Sequence, residues 1–412
     1  MKTTKLWHFF YVKGGTTPTT NSEQYWNGET AWVTPADFKS DVIDSINSSR
    51  KTVTAKAIED FNLLVAHPGS IVFSSRAPIG KVAIANIPIC TNQGCKLIYT
   101  ANKKKYNNRF LAYWLLSNKE KLERLGAGTT FKEISSSSLS NFEIPILDIS
   151  EQERIVSILD KKLELIDSYI KNKEDLLKKS YEYRQSLITR AVTKGLVQNA
   201  PVKEATFNWC PQIPSNWKIA TIGKVFDVTL GKMLCSTQKD SSFTEENYFC
   251  AGSISWDGVK SDYIKRMWFS PKEKADLMLQ KGDLLIVEGG AGFGTVTIYK
   301  GENSPCYFQN SIIRLRSKNI VTPEFCKYWL TFTYSAYLKR VCNEATFSHY
   351  TKDKVSRTPI VIPSLEEQKK IVNYLSSYDS KITAIRETTI KQIDGLKQYR
   401  NSLISKVVAE SE

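Results

Sequence analysis

Between residues 151 and 195, apolar side chains recur every three or four positions, and neither proline nor glycine interrupts them until Gly195. This periodicity predicts one long amphipathic helix. Ile155, Lys162, Tyr169, Leu176 and Tyr183 stand seven apart, as do Leu159, Ile166, Lys173, Ser180 and Leu187. A heptad seam is expected there, broken by Lys162, Lys173 and Ser180. A second such stretch closes the chain over 367–412. Its seam is cleaner: Ile371, Tyr378, Ile385, Gln392 and Tyr399 run beside Leu375, Ile382, Thr389, Leu396 and Leu403. Neither helix could keep its apolar stripe in water alone, and the nearest partner is the other stretch. A helix of about 44 residues would be roughly 65 Å long.

Outside these stretches the pattern changes to short apolar runs between turn residues. Leu63-Leu64-Val65, Ser70-Ile71-Val72-Phe73, Lys81-Val82-Ala83-Ile84-Ala85 and Lys96-Leu97-Ile98-Tyr99 read as strands. Asn108 to Leu116 reads as a helix with one apolar face. Residues 196–216 contain Trp209-Cys210-Pro211-Gln212-Ile213-Pro214, and two prolines there exclude a continued helix. The expected organisation has four segments: a mixed α and β domain (1–150), a long helix (151–195), a connector with a second mixed domain (196–366), and a second long helix (367–412).

The two halves are copies. Glu151-Gln152-Glu153-Arg154-Ile155-Val156 returns as Glu367-Gln368-Lys369-Lys370-Ile371-Val372, 216 residues later. Tyr183-Arg184-Gln185-Ser186-Leu187-Ile188 returns at the same offset as Tyr399-Arg400-Asn401-Ser402-Leu403-Ile404. The domains correspond more loosely. Phe10, Val12 and Gly15 match Phe226, Val228 and Gly231, while Phe110, Tyr113 and Trp114 match Phe325, Tyr328 and Trp329. Aromatic and strand positions persist, but the polar residues between them differ. Arg76-Ala77-Pro78-Ile79-Gly80 faces Gly289-Gly290-Ala291-Gly292-Phe293-Gly294. One scaffold with two surface chemistries suits two readers of two targets. The shifted Ile-Pro pairs, Ile144-Pro145 and Ile362-Pro363, suggest that the entry angles of the two long helices differ.

Composition adds a sign to this picture. A formal charge of +15 points to a polyanion, nucleic acid or a membrane surface. No apolar run is long enough to span a membrane, so none is expected as a partner. Eight cysteines without a Cys-x-x-Cys pair suggest reduced packing residues in a cytoplasmic protein. Catalytic signatures are missing. Residues 289–294 do not fit Gly-x-Gly-x-x-Gly, and Gly80-Lys81 does not complete a P-loop. There is no His-Glu-x-x-His and no amino-methyltransferase tetrapeptide. Asp283 and Glu288 lack a following Glu-x-Lys.

Binding chemistry is present instead. Lys103, Lys104, Lys105 and Arg109 surround Tyr106 and two asparagines, a mixture suited to phosphates and base edges. Loop positions Lys13, Thr16, Arg76, Lys81, Asn92 and Gln93 are further candidates in the first domain, with Thr129, Thr130 and Lys132. The second domain offers Lys232, Arg266, Gln309, Asn310, Thr346, Ser348 and His349.

The chain resembles the DNA-specificity subunit of a type I restriction–modification system over essentially its whole length. The resemblance is carried by Trp32-Val33-Thr34-Pro35-Ala36-Asp37-Phe38, the Gly14-Gly15-Thr16-Thr17-Pro18 loop, and Pro68-Gly69-Ser70 leading into Ser74-Ser75-Arg76-Ala77-Pro78-Ile79-Gly80. The Trp209…Ile213-Pro214…Trp217 connector and the two Glu-Gln-x-x-Ile-Val segments complete it.

It implies an α+β fold: two target recognition domains separated by two long antiparallel helices, an intramolecular coiled coil with a pseudo-twofold repeat. Each domain would read one half of a split, asymmetric sequence in double-stranded DNA. The helices would fix the gap at about one turn of DNA, roughly 34 Å. They would also dock two modification subunits, and Gln152, Ile155, Arg184, Gln368, Ile371 and Arg400 are expected at those seats. S-adenosylmethionine, ATP and magnesium would belong to modification and restriction subunits, with no cofactor, metal or catalytic residue in this chain.

Two other readings compete. A stand-alone DNA-modifying enzyme would need the missing motifs. A coiled-coil assembly protein would not need the charge or the loop-rich domains. If DNA is the ligand, phosphate contacts displace counterions, and affinity should fall steeply as salt rises. A flat affinity across a salt titration would exclude direct DNA contact.

Overall fold

Apolar runs buried on both faces become the central strands of the first domain. In chain order the strands of its main sheet are β1 (Tyr11–Gly14), β2 (Asp44–Ile46), β3 (Ile71–Ser74), β4 (Val82–Ala85) and β5 (Cys95–Tyr99); β3, β4 and β5 are the buried central ones, and β1 and β2 are the edges. They form one sheet in the order β1-β5-β3-β4-β2. In a smaller sheet, Trp26–Val33 lies between Lys51–Val53 and Ile89–Thr91. Helix α1 (Asn108–Ser117) is started by the Asn107 side chain, which accepts from the amides of Arg109 and Phe110. It buries Phe110, Leu111, Tyr113 and Leu115. The computed structural model describes residues 2–38, 42–100, 105–126, 132–205, 207–301, 303–338 and 349–410.

The first long helix, α2, spans Ile149–Lys194. It stops at Gly195, whose φ of +71° carries the backbone out while its amide still donates to Ala191 O. The second domain follows with β6 (Phe226–Leu230), β7 (Leu284–Val287), β8 (Val296–Ile298) and β9 (Ile312–Ser317), ordered β6-β9-β7-β8. Helix α3 (Pro323–Thr333) is the counterpart of α1, and the second long helix, α4, runs Leu365–Ala409.

The 216-residue offset survives in the pairing registers. Thr3↔Pro145 and Lys5↔Glu143 in the first domain recur as Ile219↔Val361 and Thr221↔Pro359 in the second. Two compact units result: Met1–Glu174 with Ile390–Glu412, and Asp175–Thr389. This division cuts across the four segments expected from sequence, because each unit holds part of α2 and part of α4.

Within the second unit α2 and α4 are antiparallel. Ile188 and Val192 share a core with Ile371 and Leu375, while Arg184, earlier in α2, reaches Asp379, later in α4, at 2.8 Å. Within the first unit Arg400 of α4 holds Asp167 of α2 at 2.8 Å.

In α2 the row Leu159, Ile166, Lys173, Ser180 and Leu187 faces inward to some degree throughout, and the other expected row is corrected. Tyr169, Leu176 and Tyr183 are exposed and so is Lys162, whereas Leu163 and Ile170 are buried. The inward residues Ile155, Ile166, Leu177 and Ile188 are eleven apart. A straight helix drifts by about 20° per heptad, so a strict seven-residue stripe slides off the buried face and an eleven-residue one tracks it. In α4 one of the two expected rows holds: Leu375, Ile382, Thr389, Leu396 and Leu403 all face inward to some degree. Ile385, Gln392 and Tyr399 of the other row point out. Among the polar breaks, Lys162 faces solvent, and Ser180 returns its hydroxyl to Leu177 O at 2.7 Å.

The two long helices are anchored alike near their starts. Gln152 is fully buried; its Oε1 accepts from the Asn107 amide at 2.8 Å and its Nε2 donates to Leu147 O at 2.9 Å. Gln368 is fully buried too; its Oε1 accepts from the Thr322 amide at 2.8 Å and its Nε2 donates to Pro363 O at 3.0 Å. In both, the amide group grips the carbonyl five residues back and the N-cap residue of the domain helix. Replacing either glutamine by leucine leaves a buried amide N–H unpaired, which costs about 1–3 kcal/mol. Gln152→Leu and Gln368→Leu should each lower the denaturation midpoint measurably, and unchanged midpoints would deny the amides this anchoring role.

Candidate nucleic-acid interface

Three loops of the first domain converge at one end of its main sheet. Gly15 follows β1, Ser75-Arg76 follows β3, and Asn92-Gln93-Gly94 precedes β5. Backbone bonds tie them: Thr16 N to Thr91 O at 2.9 Å and Ser75 N to Gly94 O at 2.9 Å. A Cβ on Gly15 would overlap the Thr91 carbonyl, so glycine is required for the approach. Gly231 makes the same approach to Phe308 and Gln309 in the second domain.

On this frame the side chains sort into available and spent. Lys13, Thr16, Arg76 and Gln93 are exposed, and Gln93 accepts from the Thr17 hydroxyl at 2.5 Å. Lys81 is half-buried beside them. Asn92 turns its carbonyl oxygen to the Gly94 amide at 3.0 Å, which shapes the loop. Lys105 and Lys132 are exposed. Lys103, Lys104, Thr129, Thr130, Thr346 and Ser348 lie outside the described residues.

Arg109 and Lys232 are held by carboxylates. Arg109 donates to Asp160 at 2.7 Å, and Tyr113 donates to the same carboxylate, which ties α1 to α2. Lys232 bonds Glu273 and lies over the rings of Phe243 and Phe269, with only 8% of its side chain exposed. Burial of Lys232 favours a fixed carboxylate over a mobile phosphate, whereas 38% of the Arg109 side chain stays exposed.

In the second domain Arg266 is exposed but paired with Glu245 at 3.3 Å. Gln309 and Asn310 are half-buried, and Gln309 Oε1 accepts from the Ser311 hydroxyl at 3.4 Å. His349 is exposed and bridged through its backbone to Gly289.

Sequence reading missed Glu133 and Lys96. Glu133 accepts from Arg76 Nε at 2.8 Å and from Lys96 Nζ at 2.9 Å. Burial pushes the Glu133 carboxyl up, but the bonds from Lys96 and Arg76 outweigh it and hold it below the usual carboxylate range. A single lysine amid the apolar letters of β5 was the available signal.

The six residues expected to dock partners all turn inward. Gln152, Ile155, Gln368 and Ile371 are buried, and Arg184 and Arg400 are bound to Asp379 and Asp167. The helices expose other apolar side chains. In the first unit these include Tyr169 at 59%, two residues after Asp167, and Tyr399 at 57%, next to Arg400. In the second unit they include Tyr183 at 53% and Ile385 at 48%, the residues 216 from Tyr399 and Tyr169.

Among the described residues no cluster of histidine, cysteine, aspartate or glutamate could hold a metal ion, and no helix is long and apolar enough to cross a membrane. The described cysteines are free thiols, mostly buried, and burial pushes those of Cys90 and Cys210 up to about 11.

Known proteins place this geometry in a family. The family model described as type I restriction modification DNA specificity domain matches residues 1–179 and 214–394. The MjaIX specificity subunit of Methanocaldococcus jannaschii is 32% identical over 227 residues, covering 53% of this chain and 50% of that subunit. The chain thus aligns with half of that relative's length. A putative specificity subunit of Haemophilus influenzae, S.HindORF215P, is 28% identical over 88% of this chain and 93% of its own.

Two solved structures share the fold. A chain from a structural study of type I R-M complex assembly and conformational transition superposes with a TM-score of 0.74 at 17% identity, covering 100% of this chain and 98% of its own. The HsdS subunit of Thermoanaerobacter tengcongensis superposes at 0.52 with 16% identity, covering 100% and 97%. With both repeats matched and the duplicated α+β architecture in place, the chain belongs to the type I restriction–modification DNA specificity family.

Proposed function

We propose that this chain reads a bipartite, asymmetric DNA site, one domain per half, and seats one modification subunit on each of its two compact units. The observation that carries the reading is a repeated scaffold bearing unlike loop chemistry. Strand registers recur at offset 216, yet the loop after β3 carries Arg76 where the loop after β7 carries glycines. Identical frames with different side chains fit two different half-sites, because base contacts specify locally while phosphate contacts only position. The charge of +15 supplies the second kind of contact. Methyl transfer and cleavage belong to partner subunits, which bring S-adenosylmethionine, ATP and magnesium.

Exchanging residues 1–145 for those of another family member should change one half of the methylated sequence in host DNA and leave the other half intact. A change in both halves, read by base-modification mapping, would break the modular picture.

The outward faces of α2 and α4 supply the seats. Tyr169 with Tyr399 in the first unit and Ile385 with Tyr183 in the second are repeat-equivalent positions with exposed apolar side chains, so two copies of one partner can use the same positions twice. Aromatic anchors of this kind dominate interface energetics. Tyr169→Glu with Tyr399→Glu should leave complexes with one modification subunit in place of two, as measured by native mass spectrometry. Retention of both subunits would move the docking surface elsewhere.

A further inference from the structure

Four backbone bonds fix the loop after β3: Ser74 N to Lys81 O, Gly80 N to Ser74 O, Ser75 N to Gly94 O, and Ile134 N to Ser75 O, between 2.9 and 3.0 Å. The second domain repeats each one. Val287 N bonds Thr295 O, Gly294 N bonds Val287 O, Glu288 N bonds Ser311 O, and Tyr350 N bonds Glu288 O, between 2.7 and 3.0 Å. An isolated bridge then joins Arg76 to Glu133 in one domain and Gly289 to His349 in the other. Position 76 therefore corresponds to 289, and position 133 to 349. The frame is the same and the side chains are not.

In the first domain the pair is charged and braced. Lys96 is 8% exposed in its side chain and fixes one oxygen of Glu133; the other oxygen takes Arg76 Nε. The Arg76 side chain is 51% exposed, and its terminal nitrogens have no partner among the described residues. A guanidinium held by Nε presents those two nitrogens as a parallel donor edge. That edge matches the O6 and N7 acceptors of guanine in the major groove. Bracing by Glu133 removes part of the ordering cost before DNA arrives.

In the second domain the equivalent place cannot host this device. A Cβ on Gly289 would overlap the His349 imidazole, so any side chain there evicts the histidine.

We propose that Arg76, positioned by Glu133 and Lys96, reads a guanine in the first domain's half-site, and that the second half-site has no guanine read from the corresponding place. This rests on the bipartite reading above and adds a residue, a base and an asymmetry to it.

The test uses the chain in complex with its modification subunits. The methylated sequence is mapped in host DNA, and binding is measured on duplexes varied one base pair at a time. With Arg76→Ala, one guanine position of the first half should become degenerate. Discrimination there should fall about tenfold to a hundredfold, the worth of one bidentate base contact. The second half and the gap should stay as they were.

Arg76→Lys keeps the charge but loses the fork. It should lose the same discrimination while keeping the salt dependence of the parent, which separates reading from charge and from misfolding. Glu133→Gln tests positioning: discrimination at that one position should drop while affinity for unrelated DNA does not.

Equal weakening on all sequences in Arg76→Ala, or an unchanged mapped sequence, would overturn the assignment and leave the bipartite reading standing. A parent complex that methylates no split sequence would overturn the bipartite reading itself.

Discussion

Each domain hangs on one buried amide. Gln152 ties the chain before α2 to the start of α1, and Gln368 ties the chain before α4 to the start of α3. The amide satisfies an N-cap backbone N–H that would otherwise be orphaned, and it takes a carbonyl from the turn preceding its own helix. In each domain the carbonyl partner follows a strand of the terminal pair, Glu143–Pro145 or Pro359–Ile362, and the amide partner starts the domain helix. Sheet, domain helix and long helix are thereby referred to a single side chain. Burial makes the arrangement all-or-none, because an unpaired amide at 0% exposure is far costlier than a paired one is favourable.

The ion pairs between the long helices do a different job. Arg184 and Arg400 occupy the same repeat position, but their carboxylate partners do not. In the second unit Asp379 accepts from both Arg184 and Tyr328. In the first, Asp160 serves Tyr113 while Asp167, seven residues on, serves Arg400. Part-buried ion pairs return little net stability after desolvation, so their contribution is better read as register, which a smooth apolar seam leaves underdetermined. The duplicated frame has kept the arginines and redistributed the acids.

Much of this was legible in the letters, because repeats and strand runs are local signals. The offset of 216 located both helices, and the terminal strand pairs keep the same offset. The seam was half legible. A seven-residue template captured Leu375 to Leu403 but misplaced Tyr169 and Tyr183, since a straight helix does not honour a strict heptad. Gln152 and Gln368 were expected at partner seats only because the family resemblance implies such seats on these helices. Gln152 faces inward for reasons that depend on Asn107, which is 45 residues away and has no pattern linking it. The Glu133 contacts to Lys96 and Arg76 were illegible for the same reason, spanning 37 and 57 residues.

The loops also show how a recognition surface can change without unsettling the fold. At the end of β3 and of β7, the four recurring bonds are all backbone to backbone. They ask nothing of the side chains at positions 76 and 289. One copy could therefore build an Arg76–Glu133–Lys96 network while the other placed His349 against Gly289, each at small cost to the shared frame. Where a side chain does carry the frame, as at Gln152 and Gln368, the two copies are identical. Divergence is free where the backbone holds and absent where an amide side chain holds. That partition follows from the cost of an unpaired buried group.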